Sequence, residues 1–213
     1  MTTIPGSEIL TSGLNMISQS LQIPVIIFLV LFAIFAVITL GGLVAEYTSR
    51  RKISVDSLEK IIYSISNASS NEEILNIIKN SRIYESQKVI LIKILRADSL
   101  SNESRHTLAK KLIEAEENKF TKKIEKTDIV TRIGPTLGLM GTLIPMGPGL
   151  AALGAGDVNT LANAIIVAFD TTVVGIGSGA VAYVVSKIRR RWYEEYLSDL
   201  DALADTVLDK LKR

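Results

Sequence analysis

The sequence predicts an all-α protein whose chain crosses a membrane three times. Three observations carry this. All 24 Lys and Arg residues lie in two stretches, Arg50 to Arg132 and Lys187 to Arg213. The two stretches without them, Met1 to Ser49 and Ile133 to Ser186, hold the longest apolar runs. No proline or glycine occurs between Gly42 and Gly134, so nothing forces the intervening helices to stop. Basic residues confined to alternate segments obey the positive-inside rule, which sets the orientation of short loops. It predicts that the basic stretches face the cytoplasm.

Residues 1–23 precede the first span. They lack a basic region before the apolar run, so they do not read as a typical signal peptide. Ile9, Leu10, Leu14, Ile17 and Leu21 recur at helical spacing. Such a segment either lies along the outer membrane surface or leads helically into the span.

Span one is expected over 24–45, about 33 Å as a helix and close to the ~30 Å hydrocarbon core. Pro24 suits the first helical turn, where its missing N–H costs nothing. Arg50, Arg51 and Lys52 follow and anchor this end in the cytoplasm, which places the amino terminus outside.

Residues 46–128 read as a cytoplasmic helical domain. Ser70 and Glu73 form a capping-box pattern ahead of Ile74, Leu75, Ile77 and Ile78. Val89, Ile90, Ile92, Ile94 and Leu95 mark another helix, and a long charged helix starts near Asn102.

Span two is expected over 129–150 and span three over 161–186, with an outer link at 151–160. Lys187, Arg189, Arg190 and Arg191 return the chain to the cytoplasm. In the tail, 187–213, Leu197, Leu200, Leu203, Ala204, Val207 and Leu211 form an apolar stripe, for packing on the cytoplasmic domain or between subunits.

Composition narrows the function. The chain has no cysteine and a single histidine, His106, which argues against disulfides and against thiolate or histidine metal sites. A net charge of +2 gives no argument for nucleic acid. No nucleophile–base pair, phosphate loop or ligand cluster stands out, so neither an enzyme nor a bound cofactor is expected.

Spans two and three differ from span one. Ten of the 14 glycines lie between Gly134 and Gly179. Gly134, Gly138, Gly141, Gly175 and Gly179 suit close helix packing in lipid. Thr136, Thr142, Asn163, Asp170, Thr171, Thr172 and Ser178 share these spans. They serve either a polar path or hydrogen bonds between helices. Asp170 is the sharpest, because an aspartate near a helix centre costs about 2.5–3.5 kcal/mol to insert and marks an ion path by default.

The segment GlyProThrLeuGlyLeuMetGlyThrLeu at 134–143 resembles the second span of MotA/TolQ/ExbB proton-channel proteins. Their pattern there is approximately Ala-Pro-Leu-Leu-Gly-Leu-Leu-Gly-Thr-Val. AlaPheAspThrThrValValGlyIle at 168–176 resembles their third span. The span layout is similar too.

The resemblance implies a homopentameric ring in the cell membrane, with spans two and three lining a central pore. A single-span partner of the ExbD, TolR or MotB type occupies that pore in the family. Proton flow then drives mechanical work. The threonines matching Thr142 and Thr172 face the pore there, and Asp170 and Thr171 join them as candidates for the ion pathway. Two features depart from the family pattern. Pro145 and Pro148 are expected to break or kink the outer end of span two. Asp170 stands where the family has an apolar residue and offers an extra cation site, which leaves sodium open beside the proton. The alternative reading is a non-conducting membrane scaffold that recruits cytoplasmic partners.

Overall fold

A computed structural model describes residues 7–50 and 53–212. These residues form seven helices and no strand: α1 Ser7–Ser20, α2 Gln22–Ser49, α3 Val55–Asn67, α4 Asn71–Asn80, α5 Glu85–Leu95, α6 Asn102–Gly154 and α7 Val158–Leu211. Three stretches are long and apolar enough to cross a membrane: Ile9–Ser49, Asn102–Gly154 and Val158–Leu211. The chain divides into two compact units. The first comprises the chain through Val44 together with Glu125–Lys187, and the second Ala45–Ile124 with Ile188–Arg213.

In the first unit, α1 leads directly into α2. Leu21 N–H donates to the Ile17 carbonyl at 3.2 Å and Val25 N–H to the Leu21 carbonyl at 3.0 Å, so the backbone pattern carries across the turn between them. Between Ile23 and Ala45 the side chains of α2 are apolar on every side except at Thr39, as a lipid-facing helix requires. Val25 and Leu29 pack on Ile144 of α6, with Leu137, Met140 and Val174 beside them.

Spans two and three are segments of much longer helices. The charged run from Asn102 continues without interruption into the apolar part of α6. The basic tail likewise continues α7 as far as Leu211. Of the break or kink expected at Pro145 and Pro148, the break does not occur, because α6 passes through Pro135, Pro145 and Pro148 to Gly154. A proline deletes one donor and leaves the flanking bonds intact. In apolar surroundings no water competes for those that remain.

The link is shorter than the expected 151–160, because both helices run into it. Gly156 takes φ of 83°, which favours glycine. Its N–H donates to the Leu153 carbonyl at 2.9 Å, and that of Asp157 to the Ala152 carbonyl at 2.9 Å. This pair of bonds is a Schellman motif, which satisfies the last carbonyls of α6. Asp157 then opens α7, its carboxylate accepting from Thr160 N–H at 3.0 Å and Thr160 Oγ1 at 2.5 Å. These bonds, the hydroxyl's first, hold the Asp157 carboxyl below the usual carboxylate pKa.

The second unit has a conventional helical core. Ser70 caps α4 by accepting from Glu73 N–H at 3.2 Å. Glu73 reaches back to Ser69 N–H at 2.7 Å, one residue before the cap. Ile65, Ile74, Ile78, Leu91 and Ile94 are buried together with Leu200, Leu203, Ala204 and Val207. Leu197 and Leu211 pack partly buried against the same core. The stripe of the tail therefore packs within this unit. Burying one such side chain stabilises the fold by about 1.5–3 kcal/mol.

Aromatic rings line one side of this core. Phe120 stacks on Tyr193 with centroids 4.1 Å apart and meets Tyr196 edge-on at 5.1 Å. The Tyr193 hydroxyl donates to Glu46 at 3.1 Å, and the Tyr196 hydroxyl pairs with Ser86 at 2.6 Å. Burial, chiefly, raises both phenols to a pKa of about 12, with the Glu46 charge adding to the effect at Tyr193. An ordinary tyrosine titrates near 10. The folded state therefore holds these two protons more tightly than the unfolded one. Their stabilisation is complete below about pH 10 and is lost as the pH rises through 12. Titration at 295 nm should show a late tyrosinate step near pH 12 that shrinks in Tyr193→Phe and again in Tyr196→Phe. A single step near pH 10 in the folded protein would contradict the burial.

Candidate functional site

The first unit is built around one seam. Along α6, Gly134, Gly138 and Gly141 recur every three or four residues and so share a face. A Cβ on Gly134 would stand 2.9 Å from the Gly175 carbonyl oxygen. One on Gly141 would stand 2.6 Å from Thr171 Cβ. On α7, a Cβ on Gly175 would lie 2.7 Å from Gly138 Cα, and one on Gly179 2.8 Å from Pro135 Cδ. Gly149, which the sequence reading passed over, extends the seam, since its Cβ would meet Ala164 Cβ at 2.8 Å. The glycines bring the two backbones into direct contact, and dispersion gains from that approach hold helices together in lipid.

The seam decides where each candidate side chain goes. Thr171 is buried in it against Gly141. Its hydroxyl donates to the carbonyls of Val167 at 2.9 Å and Ala168 at 3.0 Å. Thr171 is therefore a packing residue of this pair, away from any open surface. Ser178 is also buried there, bonded to the Gly175 carbonyl at 3.1 Å.

Helical geometry places the rest. Successive residues are rotated by about 100°, so Asp170 and Thr172 point about 200° apart, with Thr171 between them at the seam. Val174 and Ile144 pack with Val25 and Leu29 of α2, which marks one side of the α6/α7 pair as the α2 side. Asp170 turns toward that side and is exposed. Thr172 turns to the opposite side, and Thr142 turns the same way from α6. The structure thus brings Thr142 and Thr172 to one face and leaves Asp170 off it.

Both threonines are partly exposed, and both bond to their own helix. Thr142 Oγ1 donates to the Leu139 carbonyl at 2.7 Å, and Thr172 Oγ1 to the Ala168 carbonyl at 3.0 Å. A hydroxyl has one proton to give and two lone pairs. With the proton committed to the backbone, each oxygen presents acceptor capacity outward. Thr136 on α6 is bonded in the same way, to the Ile133 carbonyl at 2.8 Å.

Near the Lys187 end of this unit, Ser186 donates a hydrogen bond to Asp128. The sequence reading missed this pair, which is separated by 58 positions.

The basic anchors have specific partners. In the second unit, Arg50 bonds Glu195 at 2.5 Å and lies over the Trp192 ring at 4.9 Å. Arg189 bonds Glu46 at 3.0 Å, and Arg191 bonds Glu195 at 3.3 Å. The bond from Arg50, above all, holds the Glu195 carboxyl below the usual range. These pairs tie the end of α2 to α7 within the second unit. In the first, Lys187 lies 5.8 Å from the Tyr183 ring centroid. Arg51 and Lys52 lie outside the described residues. Among the described residues, no group of three or more His, Asp or Glu side chains gathers as a metal site.

Three helical stretches long and apolar enough to cross a membrane, two of them joined through glycines, mark a multi-pass membrane protein. Residues 71–202 match the MotA/TolQ/ExbB proton channel family, and the chain belongs to that family. The match includes all of the α6/α7 seam. No curated protein matches the chain.

The seam can be tested by paired glycine substitutions. Gly175→Val should prevent α6 and α7 from docking, with loss of the folded protein or a large fall in its thermal midpoint. Gly177→Ala, where an added Cβ meets nothing within 4 Å, should be neutral or stabilising by up to about 1 kcal/mol. Equal tolerance of both would contradict the seam.

Proposed function

We propose that copies of this chain assemble as a ring, five by resemblance to the family, around a pore lined by the face that carries Thr142 and Thr172. The chain is then the channel subunit of a proton-driven membrane motor and catalyses no covalent chemistry. The amino terminus lies outside, and the 46–128 segment and the tail lie in the cytoplasm. Every basic residue except Arg132, at the inner end of span two, lies in these last two stretches, which supports that orientation.

The observation that carries the reading is the shared face of Thr142 and Thr172, opposite α2, with both hydroxyl protons turned to the backbone. Acceptor oxygens in a low-dielectric wall favour whatever brings a proton or positive charge. A protonated carboxyl group on a partner helix inside the ring, or a hydrated cation, meets that requirement. The partner is a single-span protein of the ExbD, TolR or MotB type, whose motion converts ion flow into work. One charge crossing 100 mV releases about 2.3 kcal/mol, enough for a few ions to move a helix.

The test is proton flux in proteoliposomes holding the chain with its partner. Thr142→Val and Thr172→Val should leave assembly intact and cut flux. A hydrogen bond to a charged group contributes about 1.5–3 kcal/mol, which corresponds to roughly 10–100-fold in rate. Thr→Ser at either position should keep most of the flux. Full flux in both valine variants would contradict a pore lined by this face.

A further inference from the structure

A cavity of about 750 Å³ opens in the second unit, between the start of α3 and the end of α4, and the proposed pore makes no use of it. Its apolar wall is Ile53 and Ile61, which pack against the core of that unit. Ile53 follows the end of α2 by four residues, at most roughly 14 Å of chain, so the cavity stands close to where span one ends. Ser57, Lys60 and Ile61 are three and four residues apart on α3 and share the face that lines it.

The polar lining is basic and rich in hydroxyls. Lys60 and Arg82 bring two positive charges, and among the described residues no Asp or Glu lines the cavity. Both cations are exposed, and neither makes an ion pair or a side-chain hydrogen bond among the described residues. Ser54 caps α3 by accepting from Ser57 N–H at 3.3 Å, and the two hydroxyls share a bond at 2.8 Å. That bond uses one hydroxyl proton and leaves the other to donate. Ser81, which ends α4, donates to the Ile78 carbonyl at 2.6 Å and keeps its lone pairs for an incoming donor. Ile83, buried in the core, fixes the chain next to Arg82. Helix caps and core contacts thus hold the lining in place.

We propose that Lys60, Arg82 and the Ser54/Ser57 hydroxyl pair bind a phosphate group in this cavity. A guanidinium can grip two phosphate oxygens at once, and a lysine adds a compact charge beside it. Two cations with no carboxylate among them favour an anion. Ser81 accepts from a hydroxyl of the ligand, which hydrogen phosphate and a phosphoglycerol headgroup both carry. Two sources present this chemistry: soluble phosphate, and the headgroup of an anionic phospholipid, which basic side chains just past a span attract at the membrane surface. The site lies wholly within the second unit and does not depend on Thr142 and Thr172 lining a pore.

The test is thermal stability of the purified full chain in an uncharged detergent, at fixed pH and ionic strength. One arm titrates sodium phosphate against sodium chloride. The other titrates dihexanoyl phosphatidylglycerol against dihexanoyl phosphatidylcholine, whose choline meets two like charges. A saturable rise of the midpoint with phosphate, with phosphatidylglycerol or with both is expected. A response to phosphate alone identifies a soluble ligand, and one to phosphatidylglycerol alone a membrane headgroup. Lys60→Ala/Arg82→Ala should fold with an unchanged midpoint in chloride, because both side chains are exposed and unpaired. It should weaken the apparent affinity roughly 10-fold or more, and Arg82→Lys should weaken it less. No response in either arm would overturn the site. An equal response to phosphatidylcholine, or one unaltered in the double alanine variant, would also overturn it. No conduction enters this measurement, so it fails or succeeds separately from proton flux through the pore.

Discussion

The contact between α6 and α7 through glycine is the constraint on which the first unit depends. Backbones approach this closely only where no Cβ intervenes, and six positions, Gly134, Gly138, Gly141, Gly149, Gly175 and Gly179, leave that space open. Once the two backbones touch, the register and the rotation of both helices are determined together. Thr171 is forced into the seam, Thr172 and Thr142 turn to one side, and Asp170 turns to the other. The chemistry available on each side is a consequence of the packing. A single added methyl at Gly175 would disturb every one of these placements, although Gly175 carries no functional group.

The second unit solves a different physical problem. Its helices α3 to α5 are short, from 10 to 13 residues, and would be marginal alone in water. They are stabilised by a core to which α7 contributes Leu200, Leu203, Ala204 and Val207. Around that core, Glu46 and Arg50 at the end of α2 engage Arg189, Tyr193 and Glu195 of α7. Exposed ion pairs contribute little, about 0–1 kcal/mol each. The aromatic stack of Phe120 on Tyr193 and the burial of both tyrosines add apolar contact that salt does not screen. Basic residues at the span ends, Arg50 and Arg189, are thus partners in the folded unit.

Much of this was legible in the residues. Apolar runs free of Lys and Arg marked the three crossing stretches, and Ser70 with Glu73 marked the start of α4. Small-residue spacing pointed to the seam. Facing was harder. Asp170, Thr171 and Thr172 are adjacent in sequence, and grouping them by depth ignored the 100° rotation between neighbours. Knowing which one enters the seam required the partner helix. Of the break or kink expected at Pro145 and Pro148, the break does not occur, because proline penalties measured in water overstate the cost in an apolar setting. Pairs such as Arg189 with Glu46, 143 positions apart, leave no local trace. The closing Schellman turn at Gly156 and Asp157 does leave one, a glycine just past a helix end, which the link reading did not use.

The central claim is that Thr142 and Thr172 share a water-accessible face from which the Asp170 side is excluded. The chain has no native cysteine, so single cysteines can be placed without background. The most direct measurement is the reaction rate of a small cationic thiol reagent with T142C, T172C and I166C in the assembled membrane protein, Ile166 lying on the Asp170 side of α7. The account predicts that T142C and T172C react while I166C stays protected. Rapid reaction of I166C with protection of the other two would place the pore on the opposite side of the helix pair and contradict it.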